Sequence, residues 1–234
     1  MLNPKSKKTV VIHQPDFIPY LGFFDRLISA DVFIILDHVQ MSKRGWVHRD
    51  KIKTESGEAW LTIPIKGLDK SPVINSAEID KNKLYHKIPR IIESSYRKTP
   101  YFDEIFLPLL GIFEKKPERL FDLNMQFLRL IFEWMKINIP IVLSSELGVE
   151  KSKSGMNADL VKLVGGTTYL SGVGARDYHE QTHFETLGIE VTWQNFSPPK
   201  YPQLYGNFIA NLSIIDAMFN CGIDGSRRLL RHEQ

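Results

Sequence analysis

The chain has 234 residues, of which 43% are hydrophobic, 24% charged and 11% aromatic. That composition supplies a full apolar core and excludes disorder as the main state. Against 30 Lys and Arg stand 27 Asp and Glu, and a net charge of +3 is too small for a general nucleic-acid coat, so no nucleic-acid partner is expected.

Cys221 is the single cysteine, which excludes an intrachain disulfide framework and a multi-cysteine zinc site. The longest apolar runs, such as residues 32–36, fall far short of the ~20 residues that span a bilayer. The N-terminus carries lysines but no apolar stretch behind them, so no signal peptide is expected. A cytoplasmic α/β protein is the resulting expectation.

In chain order, residues 9–12 are a short β-branched run, the mark of a buried strand, and Pro15 and Pro19 break regular structure after it. Leu21, Phe24, Leu27 and Ile28 recur at helical spacing, and residues 32–36 form a second apolar strand ending at Asp37. Strand, helix, strand is one crossover unit, which predicts two parallel strands. A basic stretch follows, with Lys43, Arg44, Arg49, Lys51 and Lys53 against Asp50 alone. It reads as a loop, either solvated or holding an anion. Burying so many cations would be costly, so they are expected to face solvent or a ligand. Residues 60–65 predict a strand closed by Pro64 and Gly67.

The middle of the chain reads as helical. Leu84, Ile88, Ile91 and Ile92 make one face, interrupted by Pro89, and Pro100 and Pro108 punctuate the next segment. Leu120, Leu123, Phe127, Leu130, Ile131 and Trp134 make the clearest amphipathic helix, whose stripe reads as core. The strand–helix rhythm then returns: a strand at 141–143, a helix at 158–164 stopped by Gly165 and Gly166, and a strand at 167–170 running into Ser171. A helix at 178–187 stopped by Gly188 and a strand at 189–193 follow. After a Pro-rich loop at 197–202 comes a last helix at 212–219, with Asn211 as N-cap and Gly222 as C-cap. The alternation predicts an α/β fold with an open, mostly parallel sheet. One domain spans 1–234, and about 70–139 form a helical insertion within it.

Ligands of open α/β sheets bind beyond the carboxyl ends of the strands. Polar residues crowd four such places. His13, after the first strand, is the candidate catalytic base or phosphate contact. Asp37, after the second, would orient it, bind a substrate hydroxyl or hold magnesium through water. Their structural alternatives are a turn-capping histidine and a strand-end Asx-turn. Gln14, Asp16, Tyr20 and Gln40 flank this pair as candidate substrate contacts. Lys43, Arg44 and Arg49 suit phosphate oxygens, and Trp46 would cover a ring. Ser171 and Gly172 at a late strand end, and Tyr201, Gln203 and Asp216 from the C-terminal side, complete the candidate set. Cys221 has no activating neighbour and reads as buried and inert. No His or Cys pair has metal-ligand spacing, so no resident metal is expected, and no GxGxxG, GxxxxGKS/T or GxSxG occurs.

The run HQPDFIPYLGFFDRLISADVFIILDHVQ, the basic stretch through RDKIK, WLTIPI, and the later YLSG, GIEV, YPQ and NLSIIDAMFNCG together resemble the WbqC-like family over nearly the whole chain. The likeness is weakest across 70–139. The family's first motif reads H-Q-P-N and its second D-D-V-Q, so Asp16 and His38 depart from it. The resemblance implies a link to bacterial O-antigen and surface-polysaccharide biosynthesis, with transfer of an acyl, aminoacyl or glycyl group onto a sugar intermediate. Strand, Pro-containing loop, Gly, helix, strand is also the opening layout of nucleotidyltransferase-like folds. There an HxGH signature sits under the ATP phosphates, whereas Tyr20-Leu21-Gly22-Phe23 stands in its place here. Three functions follow. The first is a transferase acting on a small phosphorylated or nucleotide-sugar substrate, with ATP and Mg or an acyl-CoA donor. The second is an ATP-dependent amide ligase. The third is a non-catalytic module that binds a sugar nucleotide or a partner.

Overall fold

The computed structural model describes residues 7–81, 85–149 and 153–232; Leu84 and the N-terminal residues 1–6 lie outside them. In chain order the elements are β1 (Thr9–His13), α1 (Leu21–Ile28), β2 (Val32–Ile35), β3 (Arg49–Thr54), β4 (Gly57–Thr62), α2 (Ile88–Tyr96), α3 (Phe102–Glu114), α4 (Leu120–Met135), β5 (Ile141–Leu143), α5 (Lys153–Leu163), β6 (Thr168–Ser171), α6 (Gln181–Thr186), β7 (Glu190–Trp193) and α7 (Ile214–Leu230). They fall into two compact units. Unit 1 comprises Met1–Gln14, Asp25–Asp37 and Asn138–Phe196, and unit 2 comprises Pro15–Phe24, His38–Ile137 and Ser197–Gln234.

Unit 1 is built on a five-stranded sheet in the order β5-β2-β1-β6-β7. Every neighbouring pair is parallel, as the crossover unit predicts for β1 and β2. Val10, Val11, Phe33, Ile34 and Ile35 have no exposed surface, because a parallel sheet is covered on both faces and its strands are apolar throughout. Counted along the chain, the sheet strands run 3-2-1-4-5. The chain steps outward from β1 through β2 to β5, then restarts on the other side of β1 with β6. That reversal is the topological switch point at which open α/β sheets hold their ligands. Gly166 lets β6 begin close to its neighbours: a Cβ there would meet Val10 Cγ2 at 2.5 Å and Val161 O at 2.9 Å. The helix expected at 178–187 starts only at Gln181. Residues 173–178 form 3-10 turns, and the extended backbone of His179 separates them from α6.

Unit 2 corrects the reading of the basic stretch. Its second part, from Arg49, is strand β3, paired antiparallel with β4 from Arg49↔Thr62 to Thr54↔Gly57. Along β3 Asp50, Ile52 and Lys53 are buried, so charge masked the strand from a hydrophobic-pattern search. Lys53 also breaks the expectation that these cations face solvent or ligand, being only 1% exposed. The strand expected at 60–65 is shifted, because β4 ends at Thr62, before Pro64. Pro89 does not interrupt its helix. It sits in the first turn of α2, where a missing N–H costs nothing. Ile88 and Ile92 are buried, but Ile91 is 39% exposed and leaves the proposed apolar face. Helix α3 runs through Pro108. Helix α4 buries Leu120, Leu123, Phe127 and Ile131 of the expected stripe and adds Leu128, whereas Leu130 and Trp134 are only half-buried.

The last helix begins later and ends later than expected. Ser213 is its N-cap, while Asn211 is left-handed at φ 57°. Gly222 (φ 71°, ψ 176°) ends a first helical segment, and the helix then resumes to Leu230. A Cβ at Gly222 would meet the Tyr101 ring at 2.7 Å, so close packing as well as dihedral freedom requires glycine there. Among the described residues no helix is long and apolar enough to cross a membrane.

Candidate functional site

Parallel strands put all their carboxyl ends on one edge of the unit 1 sheet. The register His13↔Ile35 and Ile35↔Leu143 sets β1, β2 and β5 level there. His13 closes β1. Its Nδ1 lies 2.9 Å from the Gln14 carbonyl oxygen. A carbonyl only accepts, so Nδ1 carries the proton and Nε2 is the basic nitrogen of the neutral ring. Burial first, and the Arg26 charge second, push the imidazole down to about 3 against the partial support of that hydrogen bond. His13 is therefore neutral at physiological pH. It is no cationic phosphate contact, and as a base it needs a bound anion to offset burial and the Arg26 charge, because a base works best with a pKa near the operating pH.

Asp37 follows β2 and is buried. Ser144 Oγ donates to Oδ1 at 3.0 Å, Ser145 N to Oδ1 at 2.9 Å and Ser145 Oγ to Oδ2 at 2.6 Å. The carboxylate thus ties the end of β2 to the turn that follows β5. On the far side of β1, Ser171 ends β6, its Oγ 3.4 Å from the Tyr169 hydroxyl, and Gly172 lies beneath the Arg26 side chain. Gln194, the residue after β7, donates through Nε2 to Asp25 Oδ2 at 2.7 Å. The edge therefore collects His13, Gln14, Asp37, Ser171 and Gly172 from the sequence candidates. It adds Arg26, Ser144 and Ser145.

The other candidates belong to unit 2. Tyr201, Gln203 and Asp216 form one buried network with Lys53 and Tyr96. Lys53 Nζ donates to Gln203 Oε1 at 3.1 Å and to Asn207 O at 2.6 Å. The hydroxyls of Tyr96 and Tyr201 donate to the two Asp216 carboxylate oxygens at 3.0 and 2.9 Å. Burial still pushes the Asp216 carboxyl up, against those donors and the Lys53 charge. The same burial, with Asp216 adding to it, raises both tyrosine hydroxyls and lifts the Cys221 thiol to about 11, so Cys221, half-buried where full burial was expected, stays a poorly reactive thiol. Gln203 is spent twice more, on Ile209 O and Ile209 N, both at 2.9 Å. This network clamps the YPQ loop and the start of α7 onto β3.

Asp16 and Asp50 are both buried in unit 2. The Asp50 carboxyl is pushed well up, first by burial and then by the nearby Asp16 charge, although Lys51 N donates to it at 2.6 Å. His48, also buried, is lowered to about 4 by burial and the Arg49 charge. Tyr20 bridges to Ser213, and exposed Gln40 bridges to Val73. Lys43 and Arg44 are exposed, and Arg49 stacks on Trp60. Among the described residues neither Arg44 nor Arg49 forms an ion pair, whereas Lys51 pairs with Glu58 at 2.8 Å across the hairpin.

Sequence reasoning passed over Arg26, Ser144, Ser145, Lys53, Asp50, Tyr96 and Trp60. The strand-end rule that selected His13 also reaches Ser144, directly after the strand at 141–143. Arg26 carried a subtler signal, a cation inside the apolar run FFDRLI. Tyr96 carried none, because its partner is 120 residues away.

No solved structure matches the chain. An uncharacterized protein of Mycobacterium tuberculosis is 33% identical over 220 residues, which cover 93% of this chain and 95% of that protein. The model of the WbqC-like protein family matches residues 14–228. The chain belongs to the WbqC-like protein family.

Proposed function

We propose that the protein is a transferase that moves an acyl or aminoacyl group, a glycyl group among the candidates, onto a sugar intermediate of bacterial surface-polysaccharide biosynthesis. One observation carries the reading. A neutral His13, its Nδ1 proton committed to the Gln14 carbonyl, ends the first strand of a sheet ordered 3-2-1-4-5. In this reading Nε2 takes the proton from the sugar amine or hydroxyl as that group attacks the acyl carbon, and the tetrahedral intermediate then breaks its bond to the donor's carrier, a CoA thiolate or the phosphate of AMP, which departs. The Arg26 guanidinium supplies the neighbouring positive charge for an anionic donor or for the oxyanion. Asp37 positions the strand ends through Ser144 and Ser145.

The parallel sheet with its switch point favours a nucleotide-bearing substrate, either a sugar nucleotide or ATP. With ATP the reaction becomes an amide ligation: the carboxylate displaces pyrophosphate from the α-phosphorus to give an acyl adenylate, the sugar amine then displaces AMP, and His13 keeps the same role. A thermal-shift screen with ATP, acyl-CoA donors and sugar nucleotides identifies the ligand, since one that binds only the folded state raises the midpoint with concentration. His13→Gln should then keep ligand and lose turnover. A variant that loses affinity alone, with no turnover found in the parent, would mean a non-catalytic binding module instead.

A further inference from the structure

Two tryptophans stand side by side at the surface of unit 2. Trp46 opens the 3-10 turn that leads into β3, and Trp60 sits on β4. Their ring centroids are 5.2 Å apart with the planes at 47°. Each stays open to water, 44% for Trp46 and 43% for Trp60. Scattered exposed apolar residues need no explanation, but here two exposed indoles adjoin in one continuous apolar patch. Two cations lie over the Trp60 ring. The Arg49 guanidinium lies 4.1 Å from the Trp60 ring centre and Lys51 Nζ 5.3 Å from it, while Lys43 and Arg44 are exposed on the segment just before.

We propose that Trp46, Trp60 and Arg49 form a binding platform for an anionic saccharide, a sugar ring carrying a phosphate or a carboxylate. The indoles touch each other at a tilt, so they leave no parallel slot for a flat nucleobase. They offer instead two apolar planes at an angle, which suits the C–H faces of a non-planar pyranose. Arg49 supplies a fork for the anionic group. It is already ordered, stacked on Trp60 and donating through Nη2 to Arg44 O at 2.8 Å, so little side-chain freedom is lost on binding. The hairpin holds the parts in register, with Lys51 directly opposite Trp60. Lys51 is already paired with Glu58, which leaves Arg49, with Lys43 and Arg44 on the segment before it, as the cations available to the ligand. The platform requires no step at His13 and stands independently of the transfer reaction.

Saturation-transfer NMR on the full chain tests this with glucose 1-phosphate, glucuronate, glucose, AMP and inorganic phosphate as probes. Saturation should reach the ring C–H protons of glucose 1-phosphate, glucuronate or both, which identifies the anionic group. Neutral glucose should bind about tenfold more weakly. Trp46→Ala and Trp60→Ala should each weaken the anionic sugar by about tenfold or more, with Trp60→Phe as a milder second variant should Trp60→Ala fail to fold. Arg49→Gln should erase the preference over glucose, and added salt should reduce binding in the parent more than in that variant. The proposal is overturned if neither anionic sugar shows transfer, if AMP binds as tightly through its adenine protons, if phosphate alone competes as well as glucose 1-phosphate, or if the tryptophan variants bind unchanged.

Discussion

Arg26 lies directly against Gly172: a Cβ built on that glycine would sit 2.6 Å from Arg26 Nη1. Arg26 is buried on α1, and its charge is the second cause, after burial, of the low His13 pKa. A glycine after β6 thus gives a cation room beside the histidine that ends β1.

Gly172→Ala should push the guanidinium aside without unfolding the protein, because the clash is with the far end of a flexible side chain. The stability loss should stay below about 2 kcal/mol. His13 should titrate above its parent value of about 3 yet below 6.5, since burial remains. Histidine NMR titration of parent and variant reads this, and an unchanged His13 pKa would show that Arg26 had not moved.

Stability should fall as the pH drops below 6.5. His13 and His48 stay neutral in the folded state down to about 3 and 4, whereas in the unfolded chain both take up protons near 6.5. The unfolded state then binds more protons, so each histidine costs up to about 1.4 kcal/mol per pH unit across its window. Urea denaturation at pH 4.5, 5.5 and 6.5 should show a flatter fall in His48→Gln. An identical slope would mean that His48 is protonated in the fold.

Asp50 acts in the opposite direction. Its raised folded pKa means that it favours the fold below the ordinary carboxylate value and loses that contribution as pH rises through the folded value. Asp50→Asn keeps an acceptor for Lys51 N and removes the charge that faces Asp16. The variant should therefore gain stability relative to the parent as pH rises from 5 to 8, measured by denaturant midpoints. A growing deficit over that range would show the carboxylate to be needed in its charged form.

Lys53 and Asp216 should be strongly coupled. Lys53→Met removes the cation that favours the ionised Asp216 and takes the Lys53 donor from Asn207 O and from Gln203 Oε1, which keeps only Ile209 N. A loss of about 3–5 kcal/mol is expected. Asp216→Asn in the same chain should restore part of it, and the double-mutant cycle measures how much. Additive losses would mean that the two groups do not sense each other.

The α/β class, the parallel pairing of β1 with β2 and the stripe of α4 were legible because each rests on a local period of apolar residues. The hairpin was not, since charged Arg49, Lys51 and Lys53 occupy strand positions whose partners lie on β4. The C-terminal cluster was half legible. Tyr201, Gln203 and Asp216 stood out as polar residues in an apolar context, but Lys53 and Tyr96 join them only through tertiary contacts. His13 was found by the strand-end rule. Its protonation state depends on Arg26, which the sequence shows only as one cation in an apolar helix.

Nitrogen-detected NMR of the His13 imidazole tests the central claim, that the end of β1 presents a neutral base. From pH 8 to 5 the ring should remain neutral, with the proton on Nδ1 and the lone pair on Nε2, and the Nε2 signal should shift when the nucleotide or sugar-nucleotide ligand is added. A ring protonated on Nε2, or one that titrates near 6.5, would contradict the account.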